Sequence, residues 1–217
     1  MIDVPDGIGD ALAAACGNTG LGAWLALTWR SDLQPGETVL VLGATGAVGT
    51  VAVQAAKLLG AGRVVAAARA SDSLERLRER GADAVVELDA GGDLAAAFRA
   101  AAGGDVDVTI DTLWGEPALA AIKAAGRHAR HLQVGQIASL DIALPAPALR
   151  SVSLDLRGFS VAHPPVEIRR QGYAELTAHV GRGDIAIDVD ELPLERIGEA
   201  WARQREATGG PKLVLRP

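Results

Sequence analysis

The sequence predicts an α/β fold: a doubly wound, mostly parallel sheet of about six strands, with a C-terminal strand–helix–strand appendage. Three observations predict it. Short apolar runs alternate with longer helical patterns along most of the chain. The run Thr38 to Leu42 is apolar as in a parallel strand buried on both faces. The run Thr38 to Leu42 opens into a turn holding Gly43, Gly46 and Gly49, followed by an alanine-rich apolar segment, Val51 to Leu59.

In chain order, Ile8 to Trp29 is apolar and alanine-rich and is predicted as two helices broken by a turn at Gly17 to Gly22. Ser31 to Gly36, with Pro35-Gly36, is a turn into the strand Thr38 to Leu42. Alternating units follow. Strands are expected at Arg63 to Ala67, Ala84 to Leu88, Val106 to Asp111 and His128 to Val134. Helices are expected at Ser71 to Arg80, with Asp72 and Glu75 spaced as a capping box, at Leu94 to Ala102 and at Pro117 to Ala125. A later strand, Leu154 to Val161, precedes a helix at Val166 to Val180. The tail reads as a strand (Ala186 to Val189), a helix (Leu194 to Arg203), a Gly209-Gly210 turn and a strand (Lys212 to Leu215).

The glycine turn carries the chemistry. A strand, a glycine turn and a helix place the bare N–H groups of a helix N-terminus against a pyrophosphate. The spacing is G-x-x-G-x-x-G, with Ala44 where the first glycine of G-x-G-x-x-G would stand. Alanine allows the turn if its φ stays negative. Gly46 lets the backbone approach a phosphate, and Gly49 lets the helix pack close to the strand. The bland alternative is a glycine turn kept only for helix–sheet packing. The second strand selects the dinucleotide. An NAD site places Asp or Glu about 20 residues past the glycines, on the ribose 2′-hydroxyl. Here the strand ends Ala66-Ala67-Ala68-Arg69. A guanidinium suits a 2′-phosphate, so NADP(H) is expected over NAD(H). The competing reading of Arg69 is a solvated loop residue.

At these residues the chain resembles a known family. Asp32 to Gly49, Arg78-Glu-Arg-Gly-Ala-Asp83, Val106 to Leu113, Gly126 through Gln136, Leu156-Arg-Gly-Phe-Ser160 and Pro211 to Pro217 resemble the cofactor domain of medium-chain dehydrogenase/reductases, nearest the zinc-independent quinone oxidoreductase branch. The resemblance implies a Rossmann-type fold binding NADP(H). It places Gly46, Ala47 and Val48 along the pyrophosphate, Arg69 at the 2′-phosphate, Thr112 and Leu113 beside the adenosine, and Val134, Gly135 and Gln136 flanking the nicotinamide, with Gly43, Thr45, Gly49 and Ala68 also in the cofactor-binding set. Phe159 and Ser160 fall near the nicotinamide or on a strand used to pair subunits. The implied activity is hydride transfer from NADPH to a quinone or enone, with no catalytic residue named. The alternatives are a catalytically incomplete NADP(H)-binding module and a zinc-type alcohol dehydrogenase. The implied organisation is a helical lead-in (1–34), the cofactor domain (35–184) and a segment (185–217) that would complete a chaperonin-10-like catalytic domain. Family members begin with that catalytic domain, whereas this sequence starts where it normally ends. A homodimer or other homo-oligomer is also implied.

Composition narrows the classes. The 217 residues are 49% hydrophobic with a net charge of −6. Neither the balance nor the interspersed charges suit nucleic acid. No apolar run reaches the length of a membrane span, and the N-terminus lacks a signal-peptide pattern, so no membrane partner and a cytoplasmic setting are expected, while the family resemblance implies a small-molecule substrate. Cys16 is the only cysteine. Asn18 aligns with the later zinc-ligand position of the zinc branch, and Cys16 lies two residues away. One cysteine makes no zinc site, so no metal is expected. His128 and His131 are read as solvated, pointing to opposite faces of a strand. Tyr173 lacks a lysine four positions on, which removes the short-chain dehydrogenase signature, and no Gly-x-Ser-x-Gly elbow appears.

Overall fold

The computed structural model describes residues 2–69, 72–206 and 210–217. Ser71, the Asp72 side chain and Gly209 lie outside the described residues, and with them parts of the expected capping box and tail turn. Six strands form one sheet: β1 (Thr38–Leu42), β2 (Arg63–Ala68), β3 (Ala84–Glu87), β4 (Val106–Asp111), β5 (Ala125–Gln133) and β6 (Asp155–Gly158). Their order is β3-β2-β1-β4-β5-β6, and every pairing is parallel. The order in which strands are added to the sheet reverses at the β1/β4 boundary, so a crevice opens there at the carboxyl ends of the strands.

The central strand shows why its own run is apolar throughout. Val39 and Val41 enter one core cluster, Leu40 and Leu42 the other, and all four are fully buried. The first cluster holds residues of α2 (Leu21–Leu25), α3 (Ala47–Leu58), α4 (Asp72–Glu79) and α8 (Val166–Arg182). The second holds Phe98 of α5 (Leu94–Ala102) and Ala121 of α6 (Gly115–Ala124). Asp93 caps α5, its Oδ1 accepting from the N–H groups of Ala95 and Ala96, and Gly103 ends the helix at φ 74°.

Three local expectations are corrected. The lead-in does not break at Gly17 to Gly22. Helix α1 (Asp10–Ala15) runs through a π-turn (Cys16–Gly20) into α2 and a second π-turn (Ala26–Arg30). Gly20 serves close packing, since a Cβ there would lie 2.9 Å from Leu176 of α8. The hydroxyls of Thr19 and Thr28 bond back to the carbonyls of Ala15 and Trp24 and ease the widened turns. A short helix, α7 (Ala146–Arg150), lies where none is expected, started by Pro145 and Pro147. In the tail, β7 is Val189–Pro193, not Ala186 to Val189. Ala186 spends both its backbone groups on Gln54 of α3, whose amide donates to its carbonyl at 2.9 Å and accepts from its N–H at 2.8 Å. No ladder bond is left for Ala186 to make.

The tail is a strand–helix–strand unit. β7 pairs in parallel with β8 (Lys212–Arg216), and α9 (Ile197–Glu206) lies between them in sequence. It is fixed to the main body by Gln54, by the buried Ile185 and by Arg80, whose Nη2 donates to both carboxylate oxygens of Asp188. Gln54→Leu should strip Ala186 of both partners and loosen the tail by about 1–3 kcal/mol. Amide exchange should then accelerate over residues 185–193 while β1 stays protected; unchanged exchange there would refute the anchor.

Asp83 ties α3 to β2, pairing with Lys57 at 2.7 Å and accepting from the Val64 N–H at 2.8 Å. Burial pushes its carboxyl up, but Lys57, the Val64 N–H and Arg63 outweigh that and hold it below the ordinary value. A folded value lower than the unfolded one stabilises the fold above about pH 4, and this contribution is lost as pH falls through the folded value. Asp83→Asn should therefore flatten the fall in melting temperature below about pH 4; parallel acid profiles for the two proteins would count against it.

Candidate functional site

The glycine turn folds as its spacing requires. Gly43 has φ 74°, and a Cβ there would meet Thr112 Oγ1 at 2.2 Å. Ala44 is fully buried, and the four described non-glycine residues with positive φ are Asp32, Trp114, His128 and Ser153, so alanine suffices at Ala44. Gly49 sits against the turn backbone: a Cβ would lie 2.3 Å from the Gly43 carbonyl oxygen and 2.6 Å from Ala44 Cα. Gly46 is the N-cap of α3, extended at φ −78° and ψ 166°, and no side chain caps the helix. The first N–H groups of α3, beginning at Ala47 and Val48, therefore face the crevice side without an intrahelical partner. Such an end is suited to a bound anion.

A cavity of about 440 Å³ opens beside this turn. Of the residues expected in the site, it brings together Gly43, Thr45, Gly46, Ala68, Arg69, Thr112 and Leu113. Ala47, Val48 and Gly49 begin α3, outside its lining, and Val134, Gly135 and Gln136 follow β5, also outside it. Val134 and Gly135 are stitched beside Thr112, both N–H groups donating to the Asp111 carbonyl at 2.7 and 3.1 Å. A Cβ on Gly135 would lie 2.7 Å from the Thr112 carbonyl oxygen, so glycine is needed where the β4 and β5 ends meet. Arg69 is exposed at the end of β2, and no hydrogen bond or ion pair joins it to another described residue. The sequence reading missed Leu88, Asp89, Leu94, Glu116, Pro117, Ile137 and Ala138, which complete the lining. Leu88 and Asp89 directly follow β3, and Leu94, Glu116 and Pro117 open α5 and α6, so the rule that ligands sit beyond strand ends would have found them.

The remaining candidates separate. His128 is exposed, but His131 is buried, a correction to its reading as solvated. It sits in β5 beside β4, and its Nε2 lies 3.0 Å from Asp111 Oδ2. The buried carboxylate supplies the partner that makes burial of the ring tolerable. Phe159 packs on Trp29, ring centroids 6.3 Å apart, outside the cavity lining. Tyr173 is buried and donates to the Ala13 carbonyl at 2.9 Å. Cys16 is buried, and burial pushes its thiol up to about 11. It should therefore react with thiol reagents only on unfolding; rapid labelling of the folded protein would contradict its burial.

A glycine cradle at the reversal point of a parallel sheet defines the class: a Rossmann-type domain of the dinucleotide-binding architecture. Comparison with known proteins narrows it. The model of the zinc-binding dehydrogenase family matches residues 47–178, and the chain belongs to that family, the cofactor domain of the medium-chain dehydrogenase/reductase superfamily. It is 29% identical over 202 residues to quinone oxidoreductase-like protein 2 of Bos taurus, covering 89% of this chain and 57% of that one. The chain thus spans little more than half the length of that relative. It is 30% identical over 166 residues to a mycocerosic acid synthase-like polyketide synthase of Mycobacterium tuberculosis, covering 74% of this chain and 8% of that one. Escherichia coli quinone oxidoreductase, solved with NADPH, matches with a TM-score of 0.88 at 23% identity, over 99% of this chain and 67% of that one, a likeness of fold.

The family name raises the question of zinc. Among the described residues no cluster of three or more His, Cys, Asp or Glu side chains could hold a metal ion. Cys16 is buried with its thiol disfavoured as thiolate, and Asn18 is exposed. These residues do not fit a zinc site, and no step is derived through one. No helix among the described residues is long and apolar enough to cross a membrane.

Proposed function

We propose that the cleft holds NADP(H) and that the protein is an NADPH-dependent oxidoreductase acting on a quinone or enone carbonyl compound. The observation that carries this is the position of Arg69, exposed in the same cavity as the glycine turn and one residue beyond β2. In this reading the first N–H groups of α3 hold the pyrophosphate, and Gly46, Ala47 and Val48 lie along it. Arg69 meets the 2′-phosphate. Leu88, Leu94, Leu113 and Pro117 give the adenine an apolar slot, while Val134, Gly135 and Gln136 border the nicotinamide. When bound, the reduced nicotinamide supplies a hydride. The chain orients it and keeps water away, and no acid or base among its residues needs a role. We infer zinc independence from the donor set and pairing of two copies through β6, which edges the sheet and exposes Leu156.

A second reading has its own support. In it the chain binds NADP(H) as a module and depends on another unit for its substrate pocket. Leu194, Ile197 and Trp201 of the tail are exposed, and a shallow cavity of about 180 Å³ lies between α9 and β8. Residues 185–217 would there meet the catalytic unit that completes the active site, and residues 1–34 and 35–184 form the lead-in and cofactor domain. The match to a polyketide synthase over 8% of its length fits a unit used inside larger assemblies.

One experiment separates the two. NADPH binding and NADPH oxidation by a simple quinone are measured on this chain alone. Turnover supports the enzyme reading, tight binding without turnover supports the module, and absence of dinucleotide binding refutes both.

A further inference from the structure

The cavity's wall at the end of β4 is a strained corner. Trp114 has φ 60° and ψ −164°, a conformation that bulky side chains rarely adopt. It is the N-cap of α6, and the residue before it, Leu113, lines the cavity. Something must hold this corner, and the candidate is Asp111, which is fully buried. Its Oδ1 accepts from the N–H groups of Leu113 at 2.8 Å and Trp114 at 2.9 Å. Its Oδ2 faces His131 Nε2 at 3.0 Å. His131 is buried, packs edge-on against the Trp114 ring at 6.3 Å, and lies outside the lining of this cavity. Among the described residues its Nδ1 has no partner, and the Asp111 contact is the hydrogen bond that orients the ring.

We propose that His131 is a positioning residue for cofactor binding: by holding Asp111, it fixes the Leu113–Trp114 corner that walls the adenosine half of the cleft. This rests on the NADP(H) reading above. The carboxylate spans two jobs, one oxygen for the corner and one for the histidine. Without His131, Asp111 keeps a buried oxygen with no donor and can turn away from the two backbone N–H groups. The corner then relaxes, and Leu113 leaves its place. The strain at Trp114 is tolerated because the surrounding bonds over-determine it.

The test uses His131→Leu, which removes the donor, and His131→Gln, which keeps one. NADPH, 2′,5′-ADP and reduced nicotinamide mononucleotide are titrated against each, and amide exchange is followed at Leu113 and Trp114. His131→Leu should weaken NADPH and 2′,5′-ADP roughly tenfold, leave the mononucleotide unchanged and speed exchange at both amides. His131→Gln should restore most of the affinity. Uniform weakening of all three ligands, or unchanged affinity for 2′,5′-ADP, overturns the role. If His131→Leu does not fold, His131→Asn takes its place: its shorter amide leaves Asp111 Oδ2 without the donor that Gln retains, so it should weaken NADPH and 2′,5′-ADP as the Leu variant would, and equal affinities in the Asn and Gln variants overturn the role. A parent protein that binds none of the ligands overturns the dinucleotide reading itself, and this role with it.

Discussion

Gly49→Ala is expected to melt roughly 5–10 °C below the parent protein and to bind NADPH poorly. The added Cβ would lie 2.3 Å from the Gly43 carbonyl oxygen and 2.6 Å from Ala44 Cα, and both are backbone atoms. A flexible side chain could swing aside, but a turn whose Gly43 and Ala44 N–H groups both donate to the Ala67 carbonyl has little room to move. Overpacking of this kind costs about 1–3 kcal/mol, at the upper end where backbone must shift, which gives the stated fall in a domain of this size. Helix α3 must then tilt away from β1, and its first N–H groups no longer face the crevice. Calorimetry gives the first effect and an NADPH titration the second. Gly46→Ala is the contrast, because its Cβ would meet nothing closer than 3.3 Å. It should melt near the parent and lose affinity only through crowding of the phosphate. A Gly49→Ala protein that melts with the parent would mean that α3 and the turn are less closely joined than these distances indicate.

Arg69→Ala is expected to lower NADPH affinity roughly tenfold or more while leaving NADH affinity within about twofold. The reason is local charge. Arg69 shares the cavity with Asp89 and Glu116, so the charged side chains of its lining are one cation and two carboxylates. Removing the cation leaves the 2′-phosphate facing carboxylates alone. Because Arg69 is exposed, the gap should also narrow as ionic strength rises. Competitive titration of the two nucleotides at low and high salt measures both effects. Equal NADPH and NADH affinities in the parent protein would remove Arg69 from the site.

Much of this is readable from the residues. β1, β4 and α5 fall where their apolar patterns place them, and Asp93 and Gly103 cap the helix at the expected ends. The glycine turn carries its own geometry, because a positive φ at Gly43 and a close approach at Gly49 are local demands. What cannot be read depends on distant partners. Ala186 has the pattern of a strand, but Gln54, 132 residues away in sequence, takes its backbone bonds. His131 reads as solvated because its charge pattern carries no trace of Asp111 on the neighbouring strand. The glycines between Cys16 and Gly22 read as a break, yet Gly20 is small to admit Leu176 of α8. The cavity lining is half legible for the same reason: the strand ends and helix starts announce themselves, but Ile137 and Ala138 reach it only through the path of the segment after β5.

The sheet order also bears on how the chain is made. β1 lies at the centre, but only β2 and β3 among its sheet partners follow it closely; β4 arrives some seventy residues later, and the Thr38 N–H waits for Asp107 across that interval. A chain leaving the ribosome can therefore form the β3-β2-β1 half with one long edge of β1 still open. That edge carries unpaired backbone groups on an apolar strand, and it is a template for any other strand that meets it first. Its pairings are parallel and distant in sequence, which slows their closure. Refolding yield should therefore fall with protein concentration, and the interval during which β1 stands half-paired is when two unfinished chains are able to join.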